Sequence, residues 1–534
     1  MKRPLILLSA LAATATLVGC GADGGTNATD GPPRPGGTLR YGLSLAPTCS
    51  DPAQARTNQT IYVTRQIVDS LTDQDPATGE IKPWLAESWQ VGPDAKSFTF
   101  QLRDGVTFSD GTPLTATSVQ KNFDAIARGL AAKAPLAASY LAGYTGTTVL
   151  DPRTARVEFA APNAQFLQAS STPQLGLLAD ASTAKPAEQR CLGDNIGSGP
   201  FTYAEYKQGV SATLAKRAGY RWGSAVFGHQ GEAYLDRIEF RVLPESGVRT
   251  GSLSSGQLDA ISDALPQDVP QLTAAGAKVQ VTSNPGLPFG IQPNVTRGPL
   301  RDAAVRAALL PAIDRRELVD TVLGPNFTSA TGPLAVKTPA YVDLSNKLGF
   351  DAEAARRLLD QAGWVQGGDG IRAKDGARLS FGVMFTQAFA GNQAIQELIQ
   401  QQLRKIGVEV RLEPVSDAEY TARQNAKDFD AVYYNITRAD GDVLRSVFGL
   451  DGQNFNYRGP IPALDQALTG QLSAADTAAR AELIGDAQRE ILGNGLWIPT
   501  IELSQAIGVS SAVAELKFEA SARLQFYDTW LRNR

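Results

Sequence analysis

The chain has 534 residues, 43% of them hydrophobic and 19% charged, the proportions of an ordinary folded protein. Its 50 basic and 54 acidic side chains leave it mildly acidic without a basic block, which argues against nucleic acid as a partner. One histidine and three cysteines, with no closely spaced cysteine pair, argue against a metal centre and exclude mechanisms that need two histidines.

Lys2 and Arg3 open the chain, and Pro4 to Val18 is an apolar run too short to span a bilayer comfortably. This pattern predicts an export signal over residues 1–19. Its ending, Leu17-Val18-Gly19-Cys20, resembles the bacterial lipobox, which implies acylation of Cys20 and anchoring at the outer face of a membrane. An ordinary cleaved signal is the alternative. Residues 20–36 contain no aliphatic side chain larger than Ala beyond Cys20 and read as a flexible tether. Removing Lys2 and Arg3 lowers the basic count from 50 to 48 against 54 acids, a formal charge of −6. The remaining body, about 515 residues, is long enough for two or more cores. Besides Cys20 only Cys49 and Cys191 remain, and in an exported protein they are read either as a disulfide or as two separately buried thiols.

From residue 37 strands and helices alternate. Gly37 to Gly42 reads as a first strand, and Gln59 to Leu71 as a helix. Ser97 to Arg103 alternates strictly, with Phe98, Phe100 and Leu102 on one face; Asp104-Gly105 then predicts a hairpin turn, with Val106 to Phe108 as return strand. Thr115 or Thr117 should cap a helix carrying Val119, Phe123 and Ile126. Ile238 to Leu243 reads as a strand and Leu300 to Val319 as one helix. Asp351 should cap a helix ending near Gly363. Asn392 should cap another, with Ile395, Leu398, Ile399, Leu403 and Ile406 at three-four spacing and Gly407 as its stop. The strand Val408 to Leu412 follows at once, as in an α/β layer. Ser473 to Leu492 reads as a last long helix.

There is no Gly-x-Ser-x-Gly elbow, His-Glu-x-x-His, phosphate-binding loop or dinucleotide fingerprint. His229, in the polar stretch Phe227 to Glu232, reads as an exposed loop residue. Carboxylate-only chemistry, as in glycosidases, is not decided by counting acids.

One stretch is distinctive. Lys82-Pro-Trp-Leu-Ala-Glu-Ser-Trp89, followed by Phe98 to Ala116, resembles the substrate-binding proteins of dipeptide, oligopeptide and nickel ABC importers. Gly197-Ser-Gly-Pro-Phe201, Tyr234 to Phe240, Asp302 to Asp314 and Asp351 to Trp364 fall in the same family's order, so the resemblance runs over nearly all of residues 37–534. It implies an α/β, two-lobed periplasmic-binding-protein-like fold of type II. Lobe I would be 37–284 plus 500–534, with an extra subdomain at about 82–196, and lobe II would be 285–499. It implies no catalysis and no cofactor. The expected partners are a small solute, most readily a peptide, the permease subunits, and the membrane through the anchor; a monomer is expected. An exported carboxylate-based hydrolase and a sensory or escort lipoprotein on the same fold are the alternatives.

The densest polar cluster runs from Tyr433 to Arg445, after a short strand. Loops at strand ends are where α/β sheets hold ligands. In peptide-binding relatives an Asp opening an Asp-Pro-Asp-like segment here pairs with the ligand's α-amino group. Asp440-Gly441-Asp442 stands in that place, with Gly for Pro, which implies Asp440 first and Asp442 next as ligand contacts. Arg438 and Arg445 either bind a ligand carboxylate or neutralise the Asp groups internally. Tyr434, where relatives often have Trp, and Asn435 complete the candidate set; Trp497 is read as core. Free nickel is disfavoured by the lack of imidazole and thiolate near the cluster, whereas a metallophore, an opine-like conjugate or a sugar stays open.

Overall fold

Burial of alternating apolar residues organises the chain around two main sheets in a computed structural model that describes residues 32–387, 391–474 and 476–532. The signal-like segment, Cys20 and the tether through residue 31 lie outside the described residues. The first sheet has seven strands in the order Lys278–Ser283, Ser504–Val509, Ala260–Ile261, Thr38–Leu43, Arg237–Val242, Ser211–Lys216 and Phe201–Lys207. Thr38–Leu43 sits near its centre, parallel to both neighbours, with Leu39, Tyr41 and Leu43 fully buried. The second sheet has six strands in the order Thr328–Ser329, Ile498–Glu502, Gly286–Pro293, Ala431–Thr437, Ser380–Phe385 and Glu409–Pro414. Ser380–Phe385, helix Asn392–Arg404 and Glu409–Pro414 form a parallel strand–helix–strand unit, so the helix's apolar face covers the sheet.

The chain passes between the sheets twice. It leaves the first at Asn284-Pro285 and returns at Leu503, and the two crossings lie side by side: the Asn284 N–H donates to the Leu503 carbonyl at 2.8 Å. Gln505 donates to the Asn284 side chain at 2.8 Å, and Asn284 donates to Thr437 Oγ1 at 2.9 Å. Gly286 follows with φ +108°, and a Cβ there would fall 2.2 Å from the Ile436 carbonyl oxygen, so the crossing requires glycine. A four-stranded antiparallel sheet, Ala86–Val91, Ser97–Leu102, Thr154–Phe159 and Tyr144–Asp151, forms a smaller unit that shares the first sheet's core. Gly197 explains one of the recognisable blocks: a Cβ there would lie 1.8 Å from the Ile67 carbonyl oxygen.

Several local expectations need correction. The helix expected over 59–71 ends as Asn58–Thr64 plus one tight turn, Arg65–Ile67, after which the chain extends into Thr72–Gln74. Val106 to Phe108 is not the hairpin partner of Ser97–Leu102; Thr154–Phe159 and Ala86–Val91 take both of its edges. The single helix expected over 300–319 divides into Ala303–Ala312 and Arg315–Leu318, because Pro311 cannot donate to a helical bond and Asp314 caps a new start. Asn392 is the first residue of its helix rather than the cap. The last long helix begins at Thr477, capped by Asp476, while Ser473 closes the preceding helix Pro462–Ser473.

Candidate functional site

Strand Ala431–Thr437 lies inside the second sheet and delivers the polar cluster to its end. The loop that follows is held by internal charge pairs. Asp440 has one oxygen 2.8 Å from Arg480 Nη1 and the other 2.6 Å from Nη2, and it also accepts the Asp442 N–H at 2.7 Å. Burial opposes ionisation of Asp440, but the Arg480 guanidinium outweighs it and holds the carboxyl below its usual range. Asp442 is fully buried and receives Arg445 through Nε at 2.9 Å and Nη2 at 3.0 Å, with Gln471 donating at 2.5 Å.

Arg438 reaches out of the cluster. Its Nη1 donates to Ser446 at 2.6 Å, and its Nη2 donates to Ser139 Oγ at 2.7 Å in the smaller unit. The guanidinium lies 4.4 Å from the centre of the Tyr140 ring. Gln74 Nε2 donates to the Ala439 carbonyl at 3.2 Å, and the Ala164 N–H donates to the Leu472 carbonyl at 3.0 Å. These contacts join the two halves of the molecule face to face across a closed cleft. Tyr434 donates to Gln292 at 2.5 Å and meets Trp497 edge-on at 5.2 Å; Trp497 is fully buried. Asn435 is half-buried and makes no side-chain hydrogen bond among the described residues. The structure thus brings Arg438, Asp440, Asp442 and Arg445 into one network and leaves Asn435 with free polar atoms.

Cys49 and Cys191 are bonded to each other, with Cα atoms 4.3 Å apart. Beside them the buried Arg190 contacts Asp51 at 2.8 and 3.1 Å, so a covalent link and a charge pair fasten the same two segments.

A cavity of about 190 Å³ lies in the first lobe, bordered by Gln74, the residue that donates to the Ala439 carbonyl of the opposite wall. It is bordered by Asp73, Gln74, Phe227, Lys517, Glu519 and Asp528, and a narrow crevice lined by Gln168, Thr172 and Ser521 adjoins it. Sequence reasoning missed this wall. Asp73 and Gln74 lie where the helix was expected to be ending, and Glu519 and Ser521 come from the C-terminal tail, more than 440 residues away in the chain. The one available signal was polarity in Thr72-Asp-Gln74, all buried, directly after the apolar Leu71. His229 is not the exposed loop residue expected. It stacks between Tyr234 and Tyr527 at 4.1 and 4.3 Å, with Nδ1 2.8 Å from Asp528 and Nε2 2.9 Å from the Glu232 carbonyl, and so braces the tail that walls the cavity.

A profile for the bacterial extracellular solute-binding proteins, family 5, matches residues 80–456. The chain is 25% identical over 444 residues to the nickel-binding periplasmic protein of Escherichia coli K12, covering 81% of this chain and 83% of that one. It is 28% identical over 457 residues to protein XP55 of Streptomyces lividans, covering 80% and 77%. In fold it is similar to NikA of Brucella suis, solved with Fe(III)-EDTA, with a TM-score of 0.79 at 22% identity over 93% of this chain and 100% of that one. It is also similar to DppA of Helicobacter pylori, solved with the peptide STSA, with a TM-score of 0.76 at 22% identity over 94% and 99%. The expectation of an α/β two-lobed binding protein is met, and no helix among the described residues is long and apolar enough to cross a membrane. The relatives whose names state a role are binding proteins rather than enzymes, and the chain belongs to family 5 of the bacterial extracellular solute-binding proteins, those that serve ABC importers.

Proposed function

We propose that the protein is a lipoprotein, acylated at Cys20, that captures a small polar organic solute between its two lobes and presents the closed form to an importer's permease. The observation that carries this reading is the Arg438 contact, in which a guanidinium from the second sheet's loop rests on Ser139 and Tyr140 of the opposite wall. A side chain that bridges the cleft only when it is shut converts occupancy into a shape that a partner can read. The lobes follow the two crossings: residues 37–284 with the C-terminal tail, and 285 to the return at Leu503, slightly beyond the residue 500 expected from the sequence. A peptide or peptide-like solute fits the relatives described as D,D-dipeptide-binding and glutathione-binding. Among the described residues no group of three His, Cys, Asp or Glu is placed to hold a metal ion, which favours an organic solute over a bare metal. The charge pairs inside the cluster make Asp440, Asp442 and Arg445 supports for that wall, Tyr434 is held by Gln292 and Trp497, and Asn435 is the member of the candidate set whose side chain is left for a solute.

Two measurements test this. Expression with radiolabelled palmitate should label the intact chain and leave Cys20→Ser unlabelled; label on both, or on neither, removes the anchor. Thermal shift of the mature protein against di-, tri- and oligopeptides, amino-acid conjugates and chelates should show one class that raises the midpoint, because a ligand at about 100 times its Kd adds roughly 2.7 kcal/mol. No shift with any class, together with unchanged small-angle scattering, would remove solute capture.

A further inference from the structure

The cavity on the first wall is short of positive charge. Two cations, Arg65 and Lys517, stand against four carboxylates, Asp73, Asp75, Glu519 and Asp528. Both cations are already committed. Arg65 lies 3.0 Å from Glu519, donates to Ser70 at 2.8 Å and to the Ser171 carbonyl at 3.2 Å, and rests 4.5 Å from the centre of the Trp84 ring. Lys517 lies 2.9 Å from Asp528 and 3.2 Å from Glu515.

Asp73 is different. It is 7% exposed, borders both the cavity and the adjoining crevice, and has no ion-pair partner among the described residues; the Gln74 N–H donates to it at 2.8 Å. Burial pushes its carboxyl up to about 6, against the pull of Arg65, so it is mostly ionised at neutral pH.

A second, independent observation points the same way. Gln168, also 7% exposed, lines the crevice; its Nε2 donates to Gln74 Oε1 at 3.1 Å, and its Oε1 has no hydrogen-bond partner. A buried acceptor left empty is costly and is filled by whatever N–H enters. The site therefore offers a carboxylate and a free acceptor, while both of its cations are held in ion pairs with carboxylates.

Resting on the solute-binding reading above, we propose that this cavity is the subsite for a cationic, N–H-rich group of the solute, an ammonium or guanidinium, with Asp73 as its counter-ion and Gln168 Oε1 as a further acceptor. The site is also wired to closure. Gln168 orients Gln74, and Gln74 donates across the cleft to the Ala439 carbonyl at 3.2 Å. A ligand N–H on Gln168 fixes the amide chain that ends on the opposite wall. The volume suits one side-chain-sized group and not a whole oligopeptide.

The test is calorimetric titration of the mature protein with agmatine, with N-acetyl-Gly-Arg-Gly and with its isostere N-acetyl-Gly-citrulline-Gly, whose blocked amines leave the guanidinium as the one cation by which the two peptides differ. The expected result is at least tenfold tighter binding of the guanidinium peptide than of the citrulline peptide at pH 7.5, and a smaller ratio at pH 5, where Asp73 is protonated. Asp73→Asn should erase the ratio. Gln168→Leu, which changes no charge, should reduce it severalfold, and both variants are to be checked for unchanged circular dichroism. Agmatine separates the sources: its binding shows that a small free cation suffices, and binding of the peptide alone assigns the cation to a peptide side chain. Equal binding of the two peptides, no binding by any cationic probe, or a ratio that survives Asp73→Asn overturns the proposal. Binding of neutral solutes alone overturns it while leaving solute capture standing.

Discussion

Asp440 and Arg480 meet as a two-point pair, oxygen to nitrogen at 2.8 and 2.6 Å, although they lie 40 residues apart in the chain. Arg480 stands on the helix Thr477–Gly493 and also donates to Gln471 at 3.1 Å, so the pair ties the loop after Thr437 to both C-terminal helices of the second lobe. Removing the cation leaves a buried carboxylate without a partner. Arg480→Gln is expected to cost about 3–5 kcal/mol in urea unfolding. A stability-neutral Arg480→Gln that alters solute binding would instead mean that Asp440 is free to take the ligand.

The Arg438 bridge predicts a shift in the open–closed balance. An Arg–aromatic contact away from water contributes about 0.5–2 kcal/mol, and Lys cannot reproduce the fork that holds Ser446 and Ser139 together. Arg438→Lys and Arg438→Ala should therefore enlarge the radius of gyration of the solute-free protein in small-angle scattering, Ala more than Lys. Unchanged scattering in both would show that the bridge does not hold the cleft shut.

The Cys49–Cys191 bond closes a segment with a sequence separation of 142. The chain-entropy argument for a loop of that order gives about 4–5 kcal/mol, an upper figure where native strain or residual structure intervenes. The double substitution Cys49→Ser, Cys191→Ser should lower the melting midpoint and make it insensitive to reductant. Equal melting of wild type and variant, with and without reductant, would refute the link.

Two buried carboxyls give a pH signature. Burial pushes Asp69 up to about 8, against Arg65 and the hydrogen bonds from Trp222 at 2.9 Å and Tyr220 at 3.3 Å, and pushes Asp73 up to about 6. In the unfolded chain such groups titrate near pH 4. Between roughly 4 and 8 the folded state therefore holds protons that the unfolded state has released. The stability these groups contribute is full below about pH 4 and is lost as pH rises through 6 and then 8. Asp528 acts in the opposite sense. Burial opposes its ionisation, but hydrogen bonds from His229 and Gly228 and the Lys517 ammonium hold it low, so its contribution is lost as pH falls. Asp69→Asn should flatten the decline in unfolding free energy between about pH 4 and 8; an unaltered pH profile would show that Asp69 titrates normally.

Local chemistry made much of this protein legible from its sequence. Strict alternation in Ser97 to Leu102, the three-four spacing of Ile395 to Leu403 and the caps at Thr115 and Asp351 describe short-range choices that depend on neighbouring residues alone, and each became the element expected. The long signature from Lys82 to Ala116 carried the family, because turn and strand residues at fixed spacing specify one fold. Helix ends were less legible where two signals competed, as at Pro311 and Asp314. What the sequence could not supply was the partner of each charge. The row of Arg and Asp from 438 to 445 reads equally as a ligand clamp or as an internal network, and only the arrival of Arg480 and Gln471 from later helices shows how Asp440 and Asp442 are occupied. The cavity wall was hidden for the same reason. Asp73, Gln168 and Glu519 become neighbours only when the C-terminal tail folds back on the first lobe, and electrostatic meaning belongs to such neighbours, not to sequence order.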